Sequence, residues 1–220
     1  GIPVVALAGT CMEAGKTAAA AAIIARMRHR GLVVDAFKAT GVSLRRDILA
    51  FEDAGARKTM IFTDLGVVTT SPRSGPALTR TMLTELAHGK PDVIVFELGD
   101  GLLGTYGVDA ILDCPDVRQA LSGVVLSAND PVAAWGGVKL LRERFHVEPA
   151  CVTGPSTDNQ VGVDIIRQQM QVAAWNAMSH PAPLGDEAPR GRARTTDARM
   201  GRRGLGRVRA PDAPRVRAGA

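Results

Sequence analysis

Gly9-Thr10-Cys11-Met12-Glu13-Ala14-Gly15-Lys16-Thr17 separates an apolar run at residues 3–8 from an alanine-rich run at residues 16–30. The first run predicts a buried strand and the second a helix, because alanine is the strongest intrinsic helix former. A glycine-rich turn between strand and helix aims successive backbone N–H groups at one point, beside the positive end of the helix dipole, and so makes a seat for anions. Glycine there permits a close backbone approach that a Cβ would forbid. Lys16 would reach terminal phosphates as a point charge, and the Thr17 hydroxyl would ligate Mg²⁺. The loop predicts nucleotide contacts from Gly9, Thr10, Met12, Glu13, Ala14, Gly15, Lys16, Thr17 and Ala18, with ATP and Mg²⁺ as the expected ligands. The common spacing is G-x-x-x-x-G-K-[ST]. Here five residues separate Gly9 from Gly15, so strict counting puts Thr10 in the first position.

Working outward, strand-like and helix-like runs alternate. Apolar runs at 32–37, 59–62, 92–98, 123–127 and 150–153 read as strands, and 47–54, 75–88, 131–145 and 161–170 as helices. Residues 92–98 form a continuous Val/Ile/Phe run of the kind buried on both faces of a parallel sheet. This order predicts an α/β three-layer sandwich with a mostly parallel sheet, and ligands at the carboxyl ends of its strands. Glu97 closes one of those strands, where a carboxylate can hold Mg²⁺ directly or through water. Lys38 closes another, where a second cation opposite Lys16 would stabilise charge developing in phosphoryl transfer. The glycines from Gly99 to Gly107 allow close approach to a ligand, with Asp100 as a further polar contact or a turn residue.

Composition divides the chain. At 220 residues with 45% apolar side chains it is long enough for one domain with an appendage. The net charge of +5 is localised: residues 181–220 carry ten arginines and four acids, a net of +6, whereas residues 1–180 carry 17 bases and 18 acids, a net of −1. We therefore expect a nucleotide-binding domain at 1–178 and an Arg/Pro/Gly-rich, disordered tail at 179–220. Such a tail touches nucleic acid only nonspecifically, through charge, since no aromatic residue is interleaved for stacking. Three cysteines, odd in number and without metal-ligand spacing, fit a reducing, cytoplasmic compartment. There is no apolar run long enough to span a membrane, so no membrane association is expected. His29, His88, His146 and His180 are scattered. Ser127-Ala128-Asn129-Asp130 lacks the lysine of the guanine-reading N-K-x-D pattern, which favours adenine.

The pattern G-T-x-x-E-x-G-K-T resembles the loop of dethiobiotin synthetase and its relatives among the cobyrinic acid a,c-diamide synthases. Phe96-Glu97-Leu98-Gly99-Asp100-Gly101 resembles their glutamate and following glycines, with an Asp interposed. The resemblance implies a P-loop NTPase fold and activation of a carboxylate or carbamate by ATP in a ligase-type reaction. It also implies a small-molecule substrate and a homodimer. Lys38 takes the place of a lysine that contacts the substrate and the transferring phosphate, although Ala39 stands where the family usually has proline. Asp47 becomes the second metal-side carboxylate, with Asp53 as its competitor. Partition ATPases of the same superfamily carry an additional lysine at the position of Cys11, so a dimerising partition ATPase is disfavoured. Gly9-Thr10-Cys11 and Thr40-Gly41 are similar to a second P-loop family that includes proposed D-amino-acid N-acyltransferases. Two alternatives to the ligase stand. One is a regulatory NTPase switch, with loops near Asp47 and Asp64 responding to hydrolysis. The other is the nucleotide-binding part of a larger protein, suggested by Gly at residue 1.

Overall fold

The computed structural model describes residues 1–190. In order along the chain the strands are β1 (Val4–Gly9), β2 (Val34–Lys38), β3 (Thr59–Ile61), β4 (Val93–Glu97), β5 (Leu121–Ser127), β6 (Cys151–Thr153) and β7 (Ala173–Ala174). The helices are α1 (Lys16–His29), α2 (Arg45–Asp53), α3 (Gly75–His88), α4 (Val108–Asp113), α5 (Pro115–Ala120), α6 (Pro131–Glu143), α7 (Gln160–Ile165) and α8 (Pro181–Glu187).

The sheet runs β3-β2-β4-β1-β5-β6-β7, and every strand pairing in it is parallel. All residues of β1, β2 and β4 are buried, as expected for strands covered on both faces. Phe37 on β2 and Phe96 on β4 are register partners whose rings stack at 4.8 Å and 7°. Between β1 and β5 the register skips Ser122, whose hydroxyl accepts the Val4 N–H at 3.3 Å and so satisfies the donor that the irregularity leaves over. The chain passes from β1 over β4 to β2, returns to β4, and only then crosses to β5. The direction of winding therefore reverses at β1, and the reversal opens a crevice at its carboxyl end.

Burial of α1 explains its alanines: Ala19, Ala20, Ile23, Ile24 and Met27 are inside, and the small side chains bring the helix axis close to the sheet. Asp130 caps α6 by accepting the Ala133 N–H at 2.8 Å, and Asn159 caps α7 by accepting that of Gly162 at 2.9 Å. α7 runs into a wider π-helical turn at Ile166–Met170, so the single helix expected over 161–170 changes pitch midway.

Four elements, α4, α5, β7 and α8, correct the sequence reading. The stretch between Gly107 and β5 forms α4 and α5, with Val108, Ile111 and Leu112 buried at helical spacing. β7 adds a seventh strand. The boundary expected after residue 178 does not end the packed body. α8 lies on α1, with Leu184 fully buried and the Asp186 carboxylate bridging Arg26 at 2.9 Å and Arg30 at 2.8 Å. A further turn at Ala188–Arg190 follows, and Ala188 is fully buried. Proline is tolerated in the first turn of a helix, where its missing N–H has no acceptor to lose. The rest of the tail, 191–220, lies outside the described residues. No described helix is long and apolar enough to cross a membrane.

Candidate functional site: the carboxyl edge of the sheet around β1

β1 delivers Gly9 to the carboxyl edge, and Gly15, at φ 89, turns the chain into α1. A Cβ on Gly9 would lie 2.8 Å from Lys16 Cδ, so glycine leaves room for the lysine stem to fold back over the loop. Lys16 is 2% exposed and its Nζ donates to the carbonyls of Cys11 at 2.6 Å and Met12 at 3.0 Å. Burial lowers its pKa, opposed by the negative charges of Glu97 and then of other nearby acids.

Thr17, the second residue of α1, donates its hydroxyl to Glu97 Oε2 at 2.8 Å. Glu97 is 3% exposed, and burial raises its pKa, opposed chiefly by the charge of Lys38 and by the Thr17 hydrogen bond. This pair of oxygens fits Mg²⁺, which takes few protein ligands beside phosphate oxygens and water. Among the described residues there is no cluster of three or more His, Cys, Asp or Glu side chains suited to holding a metal by themselves.

Lys38 ends β2 in register with Glu97, and its ammonium pairs with Asp47 Oδ2 from the first turn of α2. Both side chains are nearly buried, at 7% and 10% exposure, so removing either partner strands a charge at a cost of about 3–5 kcal/mol. The sequence named both residues, but for separate tasks; the irregular chain at 39–44, between β2 and α2, carries no periodic signal of contact. Asp53, the competitor, is exposed at the far end of α2, and Asp64 caps its own turn by accepting the Ile61 N–H at 2.9 Å.

The loop after β4 lies directly on the phosphate loop: Leu102 N–H donates to Gly9 O at 2.9 Å. Asp100, 7% exposed, accepts the Gly101 N–H at 2.7 Å and shapes this turn. Thr40 accepts the Gly99 N–H at 2.9 Å, and Thr70 joins Gly41 N–H at 3.1 Å to the Tyr106 carbonyl at 2.9 Å. These threonines tie the loops after β2, β3 and β4 together; the sequence pointed to Thr40 only through a family resemblance and missed Thr70, an isolated threonine that carries no motif. Of the remaining loop residues, Met12, Glu13 and Ala18 are exposed and Ala14 is buried. Thr10 Oγ1 is buried without a hydrogen-bond partner among the described residues. Asn129 donates to Cys11 Sγ at 3.1 Å.

A parallel sheet whose winding reverses at β1, with a Gly-Lys-Thr turn there and an acid at the end of the adjacent strand, is a P-loop NTPase fold. No family model and no curated protein matches the chain. Among solved structures it is similar to the signal recognition particle receptor FtsY from Elizabethkingia anophelis, with TM-score 0.59 and 15% identity over 86% of this chain and 66% of that one. The same receptor in complex with GDP gives TM-score 0.57 and 14% identity, over 87% of this chain and 65% of that one. Chloroplast FtsY from Physcomitrella patens gives TM-score 0.53 and 14% identity, over 79% of this chain and 57% of that one. The chain thus spans about two thirds or less of the length of these neighbours. Identity this low shows a shared fold, and the substrate has to be argued from the site.

Proposed function

We propose that the chain binds a nucleoside triphosphate with Mg²⁺ at the carboxyl edge of β1 and hydrolyses it, as a nucleotide-operated switch. The observation that carries this reading is the 2.8 Å contact between Thr17 Oγ1 and Glu97 Oε2 beside the buried Lys16. Thr17 and Glu97 would hold the metal, which neutralises phosphate charge when bound. Lys16 would exchange the Cys11 and Met12 carbonyls for phosphate oxygens. In the reaction, water forms a bond to the terminal phosphorus while the bond to the β,γ-bridging oxygen breaks; nucleoside diphosphate leaves and the water proton ends on phosphate or solvent. Positioning and charge suffice for this chemistry, and no protein nucleophile is required. The FtsY likeness supports the switch reading over the ligase reading, and the GDP complex among those neighbours makes GTP as eligible as ATP.

Calorimetry with ATP and GTP, each with Mg²⁺, tests the proposal. Uptake of at least one of them by the folded chain, lost in Lys16→Ala, is the expected result; uptake of neither sinks it. The ligase reading keeps one specific observation, the Lys38 ammonium in register with Glu97. It requires phosphate release that rises with an added carboxylic or amino acid, whereas a switch releases phosphate independently of such compounds.

A further inference from the structure

Resting on the reading of this edge as a triphosphate site, we propose that Asp47 is a positioning residue. It holds the Lys38 ammonium over the phosphoryl group in transit and is not a ligand of the metal.

Both carboxylate oxygens of Asp47 face cations. Oδ2 is paired with Lys38 Nζ, and Oδ1 lies 3.8 Å from Arg46 Nε. A divalent cation taking either oxygen would have to approach two positive charges and leave Lys38 buried without its partner. Thr17 and Glu97 already supply a pair of hard oxygens for the metal, and Glu97 is the register partner of Lys38.

The Lys38 stem runs against the backbone of the loop after β4: a Cβ on Gly99 would stand 2.7 Å from Lys38 Cε. A lysine confined along its stem and anchored at its head loses the rotamer freedom that would otherwise blunt its effect on a developing charge. Asp47 sits in the first turn of α2, where the helix dipole favours an anion, and its own N–H donates to Leu44 O at 3.0 Å. The helix start therefore fixes the carboxylate, and the carboxylate fixes the lysine. Lys38 donates hydrogen bonds and transfers no proton, so the bonds made and broken are those at the terminal phosphorus described above.

The test compares Asp47→Asn, Asp47→Glu, Lys38→Met and the Asp47→Asn/Lys38→Met pair in the full chain. Two readouts are taken: steady-state hydrolysis of the triphosphate that calorimetry shows bound, and Mg²⁺ titration of the binding of its fluorescent analogue. For Asp47→Asn we expect kcat to fall about 10- to 100-fold while KM and the half-saturating Mg²⁺ stay within about twofold. The double variant should be no slower than Lys38→Met, because both changes remove one function, and Asp47→Glu should recover part of kcat. A rise of about tenfold or more in the Mg²⁺ requirement of Asp47→Asn would make Asp47 a metal ligand and overturn the inference. So would multiplicative effects in the double variant, or an Asp47→Asn variant as fast as the parent. If the parent chain takes up no nucleotide, the triphosphate reading fails and takes this one with it. If the parent binds and hydrolyses, only the role of Asp47 is being judged.

Discussion

At the scale of single residues, the site is a set of buried charges arranged so that each limits the cost of the next. Glu97 illustrates the trade between stability and function. Burial raises its pKa above the ordinary carboxylate value. A carboxyl with a raised folded-state pKa contributes stability that is fully present below its unfolded-state pKa and is lost as pH rises through the folded-state value, because the folded chain must then ionise a desolvated group. Glu97→Gln keeps an acceptor for Thr17 and removes that ionisation. Without Mg²⁺ it should raise the urea midpoint relative to the parent, by an amount that grows from mildly acid to neutral pH. With Mg²⁺ it should weaken nucleotide uptake by about 10- to 100-fold. A variant that binds nucleotide normally would remove Glu97 from the metal site. Glu97 was legible in the sequence because it ends an unbroken apolar run. The Lys38–Asp47 pair was not, because contact across an irregular loop depends on where β2 leaves the sheet and α2 begins.

Among the elements, α8 shows what compositional reasoning loses by averaging. Pro181, Pro183 and Gly185 lie in a stretch whose mean character is that of an unpacked tail. Yet Leu184 is fully buried, and a Cβ on Gly185 would meet Arg26 Cβ at 2.6 Å, so the helix sits on α1 at a distance only glycine allows. The Arg26–Asp186 bridge is about a third exposed, so solvent screens it and it contributes little. The buried leucine carries more. Leu184→Ala should lower the unfolding free energy by about 2–4 kcal/mol in a denaturant titration, with the slope of the transition unchanged. A change below about 0.5 kcal/mol would show that α8 adds nothing to the body's stability. α4 and α5 were missed for a different reason. Each is six residues long, too short to display more than one turn of apolar spacing, and Pro115 interrupts the stretch between them.

For the molecule as a whole, the sheet separates a rigid interior from a chemically rich edge. Cys151 stands in β6 with no exposure, and burial pushes its thiol pKa up, whereas Cys11 and Cys114 are half-buried. The thiolate is the reactive form. A disulfide reagent at neutral pH should therefore modify two thiols quickly and the third only at the rate of global opening, accelerating together with loss of helical signal in urea. Three equally fast thiols would mean that β6 opens without the rest. Eight of the exposed large apolar side chains, Met12, Val42, Leu44, Val68, Leu103, Val132, Val161 and Met178, stand in the loops and first helical turns that follow strands at their carboxyl ends. The sheet core thus keeps its apolar surface inside, while the edge that carries the site exposes part of its own.

What residue order determined was local. A glycine-rich turn between an apolar run and an alanine-rich helix needs no distant contact to be recognised, because backbone amides, dipole and lysine all lie within nine positions. Alternating runs likewise implied a parallel sheet, since parallel neighbours require a crossover between them. What only the tertiary structure decided was which strand ends meet: that β4 and not β2 lies beside β1, that Glu97 therefore reaches Thr17, and that Asp47 faces Lys38. Strand order and loop contact are settled by burial summed over the whole core, a quantity no window of sequence contains.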